Sequence, residues 1–162
     1  HYPGQGNASK DTHYNPDYIR KNWEELEDCE LRTFRAGIAA GAPLIMSAHL
    51  VAIEIDTTLF NGMYIPVSLS KLMLDGKLRG VLGFKGLIIS DGLDMKAIVA
   101  RYQSRDSALM AIDAGTDLVL LPYDFRHAFE AVVSAVEKGE ISEERIDRSV
   151  RKILLLKRGI RR

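Results

Sequence analysis

Leu82-Gly83-Phe84-Lys85-Gly86-Leu87-Ile88-Ile89-Ser90-Asp91-Gly92 is the stretch on which the fold turns. Leu87–Ile89 is a short unbroken aliphatic run, the composition of a strand covered on both faces. It leads straight into Ser90-Asp91-Gly92, so a carboxylate leaves the strand end where Gly permits a tight backbone. Two further runs of this kind flank it. Pro43-Leu44-Ile45-Met46-Ser47-Ala48-His49 lies upstream and ends in a polar residue. Asp117-Leu118-Val119-Leu120-Leu121 lies downstream and is stopped by Pro122.

Helical patterns separate these runs. Asn22 is placed to cap a helix over Trp23–Ala39, with Glu25 completing a capping box and Gly41 helping to end it. Leu26, Leu31, Phe34 and Ile38 form its expected buried side, and Cys29 is expected to pack with it. Residues 50–67 read as an irregular crossing that contains Gly62 and Pro66. Ser68 or Ser70 is expected to begin a helix through Leu72, Met73 and Leu78, and Gly115 to close another over Ser104–Ala114. Asp124 can cap a helix that buries Ala128, Phe129, Val132, Val133 and Val136. Ser142 can cap a last one with Ile146, Val150, Ile153 and Leu154 inward.

Strands alternating with helices specify an α/β fold with a parallel sheet. Two architectures fit. One is a small doubly wound sheet complete within the chain; the other is the C-terminal part of a (β/α)8 TIM barrel, about 250 residues when whole. Pattern alone leans to the first, because a partial barrel leaves open sheet edges and an uncovered core. The start of the chain leans to the second. No initiator Met precedes His1-Tyr2-Pro3-Gly4, which reads as a loop entered midway.

Composition narrows the partners. Among 162 residues, 22 Lys+Arg balance 22 Asp+Glu, which argues against an electrostatic grip on nucleic acid. No apolar run approaches the length of a membrane-spanning segment. The lone Cys29 cannot form an internal disulfide. A partial chain would have lost any leader, so localisation is not readable.

In either architecture the loops after the strand C-termini form the working face. His49, Asp91 and Asp124 fall there, and the opening loop adds His1, Asp11 and His13. Asp11 and His13 are two residues apart, so in extended chain they share a side and the carboxylate can orient the imidazole for acid/base work. His1, Asp11, His13, His49 and Asp91 are also zinc-ligating types, but their spacing matches no compact zinc signature, and no metal or cofactor is expected. Structural roles compete with these. His49 can cap its strand by bonding neighbouring backbone, and Asp94 can cap a helix. Asp113 and His127 read as solvated groups, Asp117 as a loop-to-strand anchor, and the basic tail from Arg145 to Arg162 as a wet helix face. The glycines of residues 80–86 lack the strand and spacing of a dinucleotide loop. In a doubly wound regulatory or nucleotide-binding module, Asp91 would instead be a phosphoacceptor or metal carboxylate.

Several segments in series carry a resemblance. His1-Tyr2-Pro3-Gly4-Gln5-Gly6 followed by Asp11-Thr12-His13 is similar to the K-H-F-P-G-H-G … D-S-H loop of glycoside hydrolase family 3 β-N-acetylhexosaminidases, the NagZ-type branch above all. Leu44–His49 resembles that branch's M-x-A-H strand. Ile65–Ser70 and Leu82–Asp91 resemble its L-P-A-T-L-S and L-G-F-x-G-V-I-x-S-D segments, and Ala114–Asp117 and Ser149–Leu154 follow in the same order.

The resemblance implies that residues 1–162 are one partial catalytic domain, running from the loop after the fifth strand to the end of the barrel. It implies Asp91 as nucleophile, His13 as acid/base and Asp11 as its dyad partner, with His1 and His49 at the sugar. The implied activity is retaining hydrolysis of terminal β-linked N-acetylglucosamine, in peptidoglycan-derived saccharides, through a covalent glycosyl-enzyme. The implied partner is the front half of the barrel, in the same or a companion chain; without it the chain would be noncatalytic. Tyr2 stands for Phe, Gln5 for the second His, and Gly92 where many members carry a second Asp.

Overall fold

The structure is a computed structural model that describes residues 1–4 and 17–160. Its centre is a pair of parallel strands. β2 (Leu44–Ser47) runs beside β6 (Leu87–Ser90) in the register Leu44↔Leu87 through Ser47↔Ser90. Tyr2 bridges in parallel to Ser47 on one side, and Leu118 bridges in parallel to Ile89 on the other. The described staves therefore follow chain order, with helices crossing between them, as in a stretch of a (β/α)8 barrel.

The third expected strand is reduced to that one bridge. The Asp117 carboxylate takes the Ile88 amide at 3.0 Å, and Leu121 turns the chain away with φ of 44°. Between these points Leu118 accepts from Ser90 N and Leu120 accepts from Leu93 N, each at 3.0 Å.

The first expected helix is broken into α1 (Trp23–Asp28) and α2 (Glu30–Ala39). The Asn22–Glu25 capping box is present in full. The break falls at Cys29, whose φ of −132° and ψ of −80° leave the helical region, and Cys29 is exposed rather than packed. Leu26 and Leu31 are buried, while Phe34 and Ile38 pack partly buried against the same core.

The crossing over residues 50–67 has more order than expected. β3 (Val51–Ala52) pairs in parallel with β1 (Tyr18–Ile19). β4 (Leu59–Phe60) and β5 (Met63–Tyr64) form a hairpin through Asn61-Gly62, both at positive φ. Asn-Gly favours that two-residue turn because each position tolerates the left-handed region.

Ser70 does initiate the next helix, its Oγ accepting from Met73 N at 3.0 Å. Leu72–Val81 is, however, a π-helix, and past its end Leu82 N still reaches back five residues to Lys77 O at 2.9 Å. The wider turn gathers Met73, Leu74 and Leu78 onto one buried side. Gly86 then fits where nothing larger can: a Cβ there would lie 2.5 Å from Pro43 O. Gly86 is thus a packing position, whereas Gly83 has open space around it and serves a turn at φ of 72°.

After β6 come α3 (Lys96–Val99), α4 (Ser104–Ala114), α5 (Phe125–Glu137) and α6 (Glu143–Ile160). Gly115 ends α4 with φ of 111°, and the Asp124 and Ser142 side chains accept from His127 N and Arg145 N as caps. The inward faces are narrower than the pattern predicted. On α5 only Ala128 and Ala135 are fully buried, while Phe129 and Val133 are exposed; on α6 Val150 and Leu154 are exposed. No described helix is long and apolar enough to cross a membrane.

Part of the basic tail turns inward as well. Arg145 donates to Ile112 O at 2.8 Å, Thr116 O at 2.7 Å and Ser149 Oγ at 2.6 Å. The Ser149 hydroxyl in turn donates a hydrogen bond to Asp117 Oδ1 at 2.6 Å, and Arg79 donates to Oδ2 at 2.6 Å. Lys152 lies 3.7 Å from the same oxygen. Burial pushes the Asp117 carboxyl up, but the Ser149 and Ile88 hydrogen bonds and the Arg79 and Lys152 charges outweigh it, and the net direction is down.

A carboxyl held below its unfolded value stabilises the fold at higher pH and loses that contribution as pH falls through its folded value. Asp117→Asn should therefore cost about 3 kcal/mol at pH 7, since it leaves Arg79 poorly paired in a partly buried place. Denaturant melts of both proteins at pH 7 and pH 3 check this. The gap should shrink markedly at pH 3, where the unfolded carboxyl is largely protonated and the linked stability is being lost; an equal gap at both values would contradict the assignment.

Candidate functional site

The site is built at the C-terminal ends of β2 and β6. Asp91 follows β6 directly, and its amide donates to Ser47 O at 3.0 Å, extending the strand pairing by one step. Its own Oδ1 accepts from Gly92 N at 2.9 Å. That leaves Oδ2 free to face outward, with the side chain 18% exposed. The backbone is thus fixed on both sides of a carboxylate that solvent can reach.

His1 lies beside it, its Nε2 3.5 Å from Asp91 Oδ2. The opening loop is held there by its neighbour. Tyr2 N donates to Met46 O at 2.7 Å, and Ala48 N to Tyr2 O at 2.9 Å. The Tyr2 ring is fully buried, packs edge-on against Phe34, and donates its hydroxyl to Met73 O at 3.3 Å. Burial pushes that phenol well above its ordinary range, so it stays a neutral donor. Tyr in place of Phe therefore adds a hydrogen bond to the anchor that positions His1.

His49 does not face the site opening. It is 0% exposed, and both ring nitrogens are engaged: Nε2 with Gly92 O at 2.9 Å and Nδ1 with Ser68 Oγ at 2.7 Å. A carbonyl can only accept, so Nε2 carries the proton. Burial, the largest influence, holds the imidazole below its usual range, so the ring is neutral and Nδ1 accepts from the Ser68 hydroxyl. Of the two roles expected for His49, the bond to neighbouring backbone is the one seen here. The residue pins the backbone immediately after Asp91.

Ser68, expected only as a helix start, is the partner that selects this tautomer. A pairing across nineteen residues has no local signature, and only the segment Ile65–Ser70 hinted that the position matters. Gly92 matters through space as well as through its carbonyl, since a Cβ there would approach Asp94 Oδ1 to 2.7 Å. Asp94 does not cap α3, whose N-cap is Met95.

Asp11 and His13 lie outside the described residues. Asp124 is spent on its capping bond, His127 is exposed, and Asp113 pairs with Lys71 at 3.0 Å on the surface. Among the described residues no group of three or more His, Cys, Asp or Glu is arranged to hold a metal ion.

Comparison with known proteins agrees with this arrangement. The family described as "Glycosyl hydrolase family 3 N terminal domain" matches residues 1–156. A "Beta-hexosaminidase" of Tolumonas auensis is 37% identical over 123 residues, covering 74% of this chain and 34% of the relative. A solved glycoside hydrolase family 3 β-N-acetylglucosaminidase from a Paenibacillus species superposes with a TM-score of 0.90 at 37% identity, over 98% of this chain and 30% of that one. A β-glucoside phosphorylase superposes with a TM-score of 0.89 at 28% identity, over 99% of this chain and 30% of the other. The chain thus spans about a third of the length of the curated relative, and what it spans is barrel. With a strand-end aspartate on a pinned backbone and a family match along nearly its whole length, the chain belongs to glycoside hydrolase family 3.

Proposed function

We propose that residues 1–162 are the rear part of a catalytic barrel that removes terminal β-linked N-acetylglucosamine with retention, peptidoglycan-derived saccharides being the substrate class. The observation that carries this reading is the Asp91 carboxylate, partly exposed at a strand C-terminus with its backbone held on both sides and an imidazole 3.5 Å away. Relatives with β-hexosaminidase and β-N-acetylglucosaminidase names support the sugar.

In this mechanism Asp91 Oδ2 attacks the anomeric carbon as the glycosidic C–O bond breaks. His13, oriented by Asp11, gives its proton to the leaving oxygen. The same imidazole then takes a proton from water, whose oxygen displaces the Asp91 ester and regenerates the carboxylate. An unperturbed imidazole suits both halves because it titrates near neutrality. His1 sits beside the attacking oxygen and can hold a sugar hydroxyl against it.

A second reading concerns the acceptor. An imidazole that becomes neutral on donating its proton does not repel an anion as a carboxylate would, and the phosphorylase relative supports phosphate in the place of water. Product analysis separates the two. Free N-acetylglucosamine in phosphate buffer supports hydrolysis, and N-acetylglucosamine 1-phosphate supports phosphorolysis.

In the complete protein, a 2-fluoro sugar with a good leaving group should label Asp91. Peptide mass spectrometry reads the site, and label on any other residue removes Asp91 from its role. His13→Ala should impair poor leaving groups most and be rescued by azide, giving a β-configured adduct. An unchanged leaving-group dependence without rescue would exclude His13.

His49 gives a different signature because it acts through Gly92. His49→Phe leaves the Gly92 carbonyl unpaired and the Asp91 backbone less fixed, so kcat should fall about 10–100-fold with KM little changed. His49→Gln, which can still donate to Gly92 O, should recover much of the loss. Equal falls in both variants, or a rise in KM alone, would contradict a positioning role.

A further inference from the structure

The opposite end of β6 holds a second charged cavity that the proposed chemistry does not use. Asp91 follows β6, whereas Asp117 bonds to Ile88 near its start, about 10 Å away along a strand that rises 3.3 Å per residue. Beside Asp117 lies a cavity of about 170 Å³ between the π-helix, the Phe84–Lys85 turn and α6. Five cations line it against only two carboxylates, Asp75 and Asp117.

Those cations divide into two sets. Arg79 and Arg145 are committed, their guanidinium groups spread over Gly86 O, Gly115 O, Asp117, Ser149, Ile112 O and Thr116 O. Lys85, Arg148 and Lys152 complete the lining, and among the described residues only Lys152 of these three forms an ion pair, at 3.7 Å from Asp117. Asp117 is already shared with Arg79, Ser149 and the Ile88 amide, so it cannot neutralise all three. The Lys152 ammonium is held below its ordinary range, first by burial and then by the Arg79 charge. Lys85 and Arg148 are exposed and Lys152 is half-buried, so the three concentrate positive potential at the mouth of the cavity, where an anion can meet it.

We propose that this cavity binds a small tetrahedral oxyanion of the phosphate class, gripped by Arg148, Lys152 and Lys85. Arg148 offers the planar fork that meets phosphate oxygens in pairs, and the two ammonium groups add point charges. The volume accommodates a phosphoryl group, which could arrive as free phosphate or as the head of a sugar phosphate. Binding here would brace α6 against the base of the sheet without touching Asp91.

The test is isothermal titration of the complete protein with inorganic phosphate at constant ionic strength, with chloride as the matched control. Saturating N-acetylglucosamine is present throughout, and the titration is repeated in Asp91→Asn, so that phosphate entering the proposed catalytic site is recognised. One-to-one binding that survives Asp91→Asn and weakens at least tenfold in Lys85→Gln/Arg148→Gln supports the proposal. Both replaced side chains are exposed, so the double variant should fold, and an unchanged circular dichroism melt verifies that. A parallel titration with glucose 6-phosphate identifies the source: tighter binding than phosphate points to a sugar phosphate, weaker binding to the free ion. Absence of binding, equal response to chloride, or binding indifferent to the double variant would overturn the site. Loss only in Asp91→Asn would move the phosphate to the catalytic end and equally refute the proposal here.

Discussion

Asp117 carries a negative charge into the base of the sheet, and three chain segments are arranged to keep it there. The π-helix contributes Arg79, β6 contributes the Ile88 amide, and α6 contributes Ser149 and Lys152. Arg145 extends the network by binding the last carbonyls around α4. A buried ion pair adds little net stability compared with apolar packing, yet breaking one is expensive. Its consequence is therefore selective. Only one placement of α6 against β6 satisfies the carboxylate, and that placement sets where the far end of β6 emerges.

At that far end the same strand meets opposite requirements. The base buries its charges and satisfies them, whereas the top must leave Asp91 Oδ2 open. Rigidity there comes from neutral groups. Ser47 O and Gly92 N hold Asp91, and a neutral His49, itself held by Ser68, secures the next carbonyl. A charged His49 would cost more to bury and would add a cation behind the carboxylate. Uncharged hydrogen bonds thus fix the geometry without quenching the group that reacts.

This division explains what could be read from the sequence. Apolar runs, capping residues and Gly115 carry local signals, so β2, β6, α4 and the starts of α1, α5 and α6 were legible. Asp91 was legible because composition changes abruptly at a strand end. Asp117 could be read as an anchor, but its partners could not, because Arg79, Arg145 and Lys152 look like any solvated basic residue until folding brings them together. For His49 a bond to backbone could be read as one of two roles, but its partners Ser68 and Gly92 could not, for the same reason. Asn61-Gly62 was a usable hairpin signal that the irregular reading of residues 50–67 passed over. The break at Cys29 and the π-helix have no comparable local mark.

The expectation that α5 and α6 would bury wide apolar faces failed in an informative direction. Phe125, Phe129 and Val133 on α5, with Val150, Leu154 and Leu155 on α6, form exposed large apolar surface beside the last stave. Amphipathic helices of this kind place such faces against a neighbour, since each large side chain is worth roughly 1.5–3 kcal/mol when covered. The sequence pattern thus anticipates a cover that the described residues do not supply. A barrel provides one by geometry, because closure brings its first strand and helix against its last. The amphipathic faces that look like errors in the 162-residue frame are consistent readings in the frame of a whole barrel, and the two outer described staves, at Tyr2 and at Leu118, lie where such a closure would join.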